Sequence, residues 1–317
     1  MKSSMKSSMK SLKIYVKESI FDNVEDIVSN DTILIEQFLK DNYNIDGTYV
    51  INGPYAINKD CVVDVRGCVN VKNRKIESLT NGLFRFGVVS KDFDCAFCPG
   101  LVSLEGAPEE VGGRFYCYEC TKLKSLEGGP RKVGKDFYCN DCPKLKSLEG
   151  APKEVGESFD CSYCENLTSL EGAPTKTSGF RCKKCRKLTS LEGAPEKIKW
   201  NFICNECTNL VTLKGAPREV GGDFTCNVCK KLKSLEGAPR KVNGSFCCNY
   251  CPGLKNLEGS PDEVGDVFSC YACMNLISLK GAPKAVGDVI YCENCYRLVI
   301  TDQDRKKYNI DEQGTHI

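Results

Sequence analysis

Cysteine is the residue type whose number and spacing in this chain invite chemistry. Ten Cys-x-x-Cys pairs run from Cys95 and Cys98 to Cys292 and Cys295, and successive pairs are separated by 18 residues, once by 17. That separation falls within the spacing of four-thiolate zinc sites. Two neighbouring pairs would supply four sulfurs to a tetrahedral ion, and a reactive dithiol is the other chemistry such a pair offers. Histidine chemistry has little to build on. His316 is the only histidine, so Ser-His-Asp triads, Cys-His pairs and histidine metal sites are effectively absent.

The pairs belong to a repeat. The second cysteine recurs at 98, 120, 142, 164, 185, 207, 229, 251, 273 and 295, in steps of 22 with one of 21. The shorter step falls in EGAPTKTSGF, between Pro174 and Phe180, where a surface turn can absorb a deletion. The repeat reads V-G-x-x-F-x-C-x-x-C-x-x-L-x-S-L-E-G-A-P between Phe93 and Leu298, its last copy truncated. In F-x-C the phenylalanine and the first cysteine share one face of a short strand, and Gly-Ala-Pro followed by Val-Gly is turn chemistry. Burying four large apolar side chains per repeat gains roughly 6 to 12 kcal/mol, whereas ordering 22 residues costs on the order of 1 to 2 kcal/mol each. One repeat cannot fold alone. Stacking is required, with parallel strands and continuous internal ladders of Phe, Cys and Leu.

This pattern resembles a leucine-rich repeat. Its core appears as Phe224-x-Cys226-x-x-Cys229-x-x-Leu232, with Leu235 next inside, and the residue after the second cysteine is that of the cysteine-containing variety. The chain is also similar to the LTSLEGAP-type repeat proteins of phages and bacteria. The resemblance implies a non-enzymatic scaffold that binds a protein partner through its exposed strand face. Phe and Cys stand where the family has Leu, and the outer side offers no helical pattern. The expected fold is therefore a repeat solenoid, mostly β: a leucine-rich-repeat-like stack of short parallel strands with a turn-rich outer side and an N-terminal helical segment.

Packing or metal is the question the cysteines pose. VNVKNRKIESL reads as an atypical first rung in which Val71 replaces the first cysteine. Valine fills a packing slot but ligates nothing. Reduced cysteine is itself a small hydrophobe with a weak S–H donor, and at the ladder position that donor can face a neighbouring carbonyl. Interior packing is the expected role, with no cofactor and no metal site. A zinc-binding or redox-active cysteine array is the alternative.

Lys and Arg number 44 against 42 Asp and Glu, a net charge of +2, so no polyanion-seeking or acidic chain is indicated. The sequence has no apolar run of about 18 residues to span a bilayer. MKSSMKSSMKSL leads into no apolar h-region. Cytoplasm is the expected location, host cytoplasm if the chain is viral, and there the 23 cysteines stay reduced. Residues 1–11 read as a disordered low-complexity tail. Leu12, Val16, Ile20, Val24, Ile27 and Val28, then Ile33, Leu34 and Phe38, recur at helical spacing, which makes 12–48 a helical segment. Glu18, Asp22, Glu25 and Asp26 argue against its lying on an anionic membrane. Residues 49–92 form a β cap with the atypical rung, 93–298 the solenoid, and 299–317 a C-terminal cap or tail with a helix cap at Thr301.

Partner recognition falls to the outward positions. Tyr116, Tyr118, Tyr138, Asn140, Tyr163, Asn205, Asn227, Asn249, Tyr271 and Tyr291 form the candidate partner-binding face, since Tyr and Asn combine rigid apolar area with hydrogen bonding. An ordinary exposed sheet is the alternative. Arg181, Lys183, Lys184, Arg186 and Lys187 are the best nucleic-acid candidates, but aromatic partners are sparse beside them and a solvated edge is favoured. Glu105, Glu127, Glu149, Glu171, Glu192, Glu236 and Glu258 would stack in one column, interrupted by Lys214 and Lys280. No pair of carboxylates in distinct environments emerges for acid–base work. Cys247 is the repeat cysteine expected to point outward.

Overall fold

A computed structural model describes residues 15–17, 35, 37, 51–52, 55–58, 60–80 and 82–308. The fold is a mostly β parallel solenoid of about ten turns. Among the described residues, helix is confined to Asp302–Tyr308 and to helical positions at Ile35 and Gln37. The chain divides into two compact units, residues 1–139 with 150–155 and residues 140–149 with 156–317.

The rung from Val220 to Pro239, in the second unit, explains the repeat. Phe224–Thr225 is a strand paired in parallel with Phe202–Ile203 and Phe246–Cys247, phenylalanine to phenylalanine. Pairing continues past the strand, where the Cys226 and Val228 amides donate to the Cys247 and Asn249 carbonyls, both at 2.8 Å. Val228 adopts a left-handed φ of 62°, and the equivalent residue is left-handed in every rung from Phe97 to Asn294. That reversal costs about 1 to 2 kcal/mol for a non-glycine residue, and it turns the second cysteine back inward. The Leu232 amide then closes a turn on the Cys229 carbonyl at 3.0 Å. At Gly237, φ is +88° and a Cβ would lie 2.4 Å from the backbone of Lys214 in the preceding rung. Only glycine fits there, which is why Leu-x-Gly recurs.

The interior is a set of columns. In the second unit the phenylalanine rings from Phe159 to Phe268 stack with centroids 5.2–5.4 Å apart. In the first unit Phe93, Phe115 and Phe137 do the same at 5.1–5.2 Å. Two leucines per rung, such as Leu232 and Leu235, are fully buried beside them. A second run of two-residue strands forms at the Val-Gly corner. In the second unit it runs Lys197–Ile198, Glu219–Val220, Lys241–Val242, Glu263–Val264 and Ala285–Val286, all parallel. The sequence reading has turns there; Val and Ile pointing inward in register supply the ladder that makes them strands.

The first unit opens differently. Tyr55–Ile57 pairs antiparallel with both Val62–Val65 and Tyr15–Lys17, and Ile51–Asn52 pairs antiparallel with Cys68–Asn70. Tyr15–Lys17 is thus extended where the spacing of Leu12, Val16 and Ile20 implies helix. Its ladder with Tyr55–Ile57 outweighs local periodicity. Most other residues of 12–48, and all of 1–11, lie outside the described residues. Cys68–Asn70 aligns Val69 with Phe93, and Val71, like Val69, is buried. In the second unit Asp302–Tyr308 is capped by Thr301, whose Oγ1 accepts the Asp304 amide at 3.1 Å while Asp304 accepts the Thr301 amide at 3.0 Å.

Candidate functional site

Two features bear on function, the thiol column and the outward strand face. In the column, second cysteines donate their S–H to the carbonyl of the first cysteine one rung back. Cys185 reaches Cys161, Cys207 reaches Cys182, Cys229 reaches Cys204, Cys251 reaches Cys226, Cys273 reaches Cys248 and Cys295 reaches Cys270, at 3.1–3.5 Å. Cys120 reaches Cys95 at 3.2 Å in the first unit. At the start of the stack Cys98 Sγ donates to the carbonyl of Val71 at 3.2 Å. A backbone carbonyl is all that the thiol requires, so valine satisfies it as well as cysteine.

Burial raises several of the repeat thiols; Cys295, in the last rung, is instead held below its ordinary value by its hydrogen bond with Cys270. Desolvation pushes Cys98 up to about 11, Cys251 to about 12 and Cys292 to about 12, and it raises Cys204 and Cys226 well above the ordinary thiol value. A thiol held neutral is a poor nucleophile and a poor metal ligand. Among the described residues, no group of three or more His, Cys, Asp or Glu side chains is placed to hold a metal ion. Cys247 does lie on the outward side, half-buried, and burial raises it to about 11. It carries no thiolate near neutral pH.

The tyrosines and asparagines named from sequence separate into distinct groups. In the first unit Tyr116 and Tyr138 stack at 5.3 Å, Tyr118 meets Tyr116 edge-on at 6.2 Å, and Phe97 meets Tyr118 edge-on at 5.0 Å. Beside them Arg114 Nε donates to Asp136 Oδ2 at 3.0 Å, and burial raises the three phenols above their ordinary value. In the second unit Tyr271 stacks on Tyr291 at 5.6 Å, and Tyr250 meets Tyr271 edge-on at 5.3 Å.

Asparagine serves the stack itself. The amide oxygens of Asn205, Asn227 and Asn249 accept the backbone amides of Asn227, Asn249 and Tyr271, each at 2.8 Å. This asparagine ladder ties rungs together, so those three oxygens are committed internally. Asn140 donates to Asp141 Oδ2 at 2.8 Å, and Tyr163 lies under Lys184 Nζ at 4.8 Å. Phe97 and Tyr250, outside the face expected from sequence, occupy the left-handed position and stand exposed beside the tyrosines.

The basic run is partly neutralised. Lys183 and Lys184 share Glu206 at 3.2 and 3.5 Å, and Arg186 pairs with Glu165 at 3.2 Å. Lys187 is exposed with no acidic partner among the described residues, as are Lys230, Lys231 and Lys233 two rungs on. No helix among the described residues is long and apolar enough to cross a membrane. Comparison with family models, with curated proteins and with solved structures gives no match to this chain.

Proposed function

We propose that this chain is a non-enzymatic scaffold of the leucine-rich-repeat kind, of the LTSLEGAP type found in phages and bacteria, which binds a protein partner in the cytoplasm through its exposed strand face. One observation carries the reading. The interior columns repeat the same residues, whereas the outward positions change from rung to rung and gather Tyr116, Tyr118, Tyr138 and Phe97 into one aromatic cluster. Half-buried tyrosines need little further ordering to bind, which is the property that enriches them at interfaces. The polar groups of the rungs recur as ladders and do not converge on a reacting atom.

Affinity capture from the native host tests the reading, with the intact chain and a Tyr116→Ala, Tyr138→Ala variant compared at equal concentration. Truncating the pair is expected to weaken capture of the partner at least tenfold with the melting transition retained. Equal capture by a folded variant would refute recognition by this face.

A further inference from the structure

Charge is distributed unequally around the rungs of the second unit. On the side that carries Leu-Glu-Gly and the following strand, cations pair with acids one rung away: Lys197 with Glu219, Arg218 with Glu196, Lys214 with Glu192, Lys241 with Glu263 and Lys280 with Glu258, all within 3.4 Å. The corner after the second cysteine is different. Arg186, Lys187, Lys230, Lys231, Lys233 and Lys255 are all exposed there, and among the described residues only Arg186 of these has a carboxylate, Glu165. Among the described residues of the second unit, this corner thus carries a cluster of cations with few carboxylates beside it.

The corner has relief as well as charge. Thr208 and Asn209 occupy the rung between Arg186 and Lys230, and Asn209 Nδ2 donates to the Arg186 carbonyl at 2.7 Å. Short polar side chains between long cations leave a cleft of about 500 Å³, lined by Arg186, Thr208, Asn209, Val228, Lys230 and Lys231, with Glu206 at its wall. Rungs about 4.8 Å apart put the flanking cations roughly 10 Å from each other along the stack.

We propose that this cleft docks an acidic segment of the partner protein, one that carries apolar residues between its carboxylates. The proposal rests on the protein-binding reading and names the partner's chemistry. Val228 gives the cleft an apolar patch, which an apolar side chain between carboxylates can cover and a phosphate chain cannot; Glu206 at the wall is already paired with Lys183 and Lys184.

The test uses the full chain and a fluorescein-labelled 20-residue peptide of repeating Glu-Glu-Leu-Glu, read by anisotropy, with an oligothymidylate of equal length as competitor. Lys230→Glu with Lys231→Glu is expected to weaken peptide binding tenfold or more with the melting transition unchanged, and the oligothymidylate is expected to compete poorly. Lys230→Gln with Lys231→Gln, milder for the fold, is expected to show a smaller loss in the same direction. Lys241→Glu with Lys280→Glu, on the paired side, is expected to leave binding unaltered. Absence of peptide binding, equal binding by both corner variants, or tighter binding of the oligothymidylate lost in the same variants would each overturn the proposal. Host capture through the Tyr116 and Tyr138 face is a separate readout, so failure at the corner leaves that reading standing and the reverse also holds.

Discussion

Phe224 and Thr225 share one two-residue strand and have opposite histories along the stack. The equivalents of Phe224 are phenylalanine from Phe93 to Phe268, every one fully buried, whereas the equivalents of Thr225 run through Asp94, Tyr116, Arg181, Ile203, Cys247 and Tyr291. A residue facing inward stacks on its own copy above and below, so each rung constrains the next. The outward neighbour is half-buried in most rungs and free to change type, constrained by strand propensity and by whatever stands beside it. The thiols belong with the first class: they are interior, in register, and bonded to carbonyls of the same chain.

The largest expected effect opposes the interior to solvent through protons. Cys98, Cys251 and Cys292 ionise at about 11 to 12 in the folded chain, above the ordinary thiol value near 9. Folding therefore holds their protons. Their contribution to stability is complete below about pH 9 and is lost as pH rises through 11 to 12, by up to about 1.4 kcal/mol per pH unit for each thiol. Thermal melting between pH 7 and 12 is expected to show a plateau and then a steep fall; a melting temperature flat to pH 11 would contradict burial of neutral thiols.

Within one strand the contrast sharpens. Phe224→Ala is expected to cost about 3 to 5 kcal/mol in denaturant unfolding. Thr225→Val removes a hydroxyl whose Oγ1 is buried without a hydrogen-bond partner, so stability is expected to hold or to rise by up to about 1 kcal/mol. Similar losses at both positions would erase the distinction. Smallest is Cys226→Val, which copies the natural Val71 and retains the carbonyl that Cys251 uses. A loss below about 1.5 kcal/mol is expected, and a loss above about 3 kcal/mol would show that the sulfur does more than fill space.

Much of this was legible in the sequence because the repeat multiplies each signal. Nine copies of F-x-C-x-x-C-x-x-L, and a tenth with Ile290 for the phenylalanine, give strand, inward face and stacking direction at once, and Val71 exposes the thiol's role. Other features left no trace in residue type. The left-handed position holds Phe97, Glu119, Lys184, Val228 and Asn294, which share no propensity; inward aiming of the second cysteine imposes the conformation. Asn205, Asn227 and Asn249 read as recognition residues because an outward asparagine looks free until the next rung's amide is placed against it. Tyr15–Lys17 could not be recognised as a strand without its distant partner, Tyr55–Ile57.

The central claim is that the cysteines are protonated filler whose S–H groups bond to backbone carbonyls one rung away. Raman spectroscopy of the S–H stretching band reads this directly on protein purified in reductant without added metal. The expected spectrum has a strong band shifted to the lower frequency of hydrogen-bonded thiols, which disappears into the free-thiol position on unfolding. A native spectrum without that band, as zinc thiolates or disulfides would give, contradicts the account.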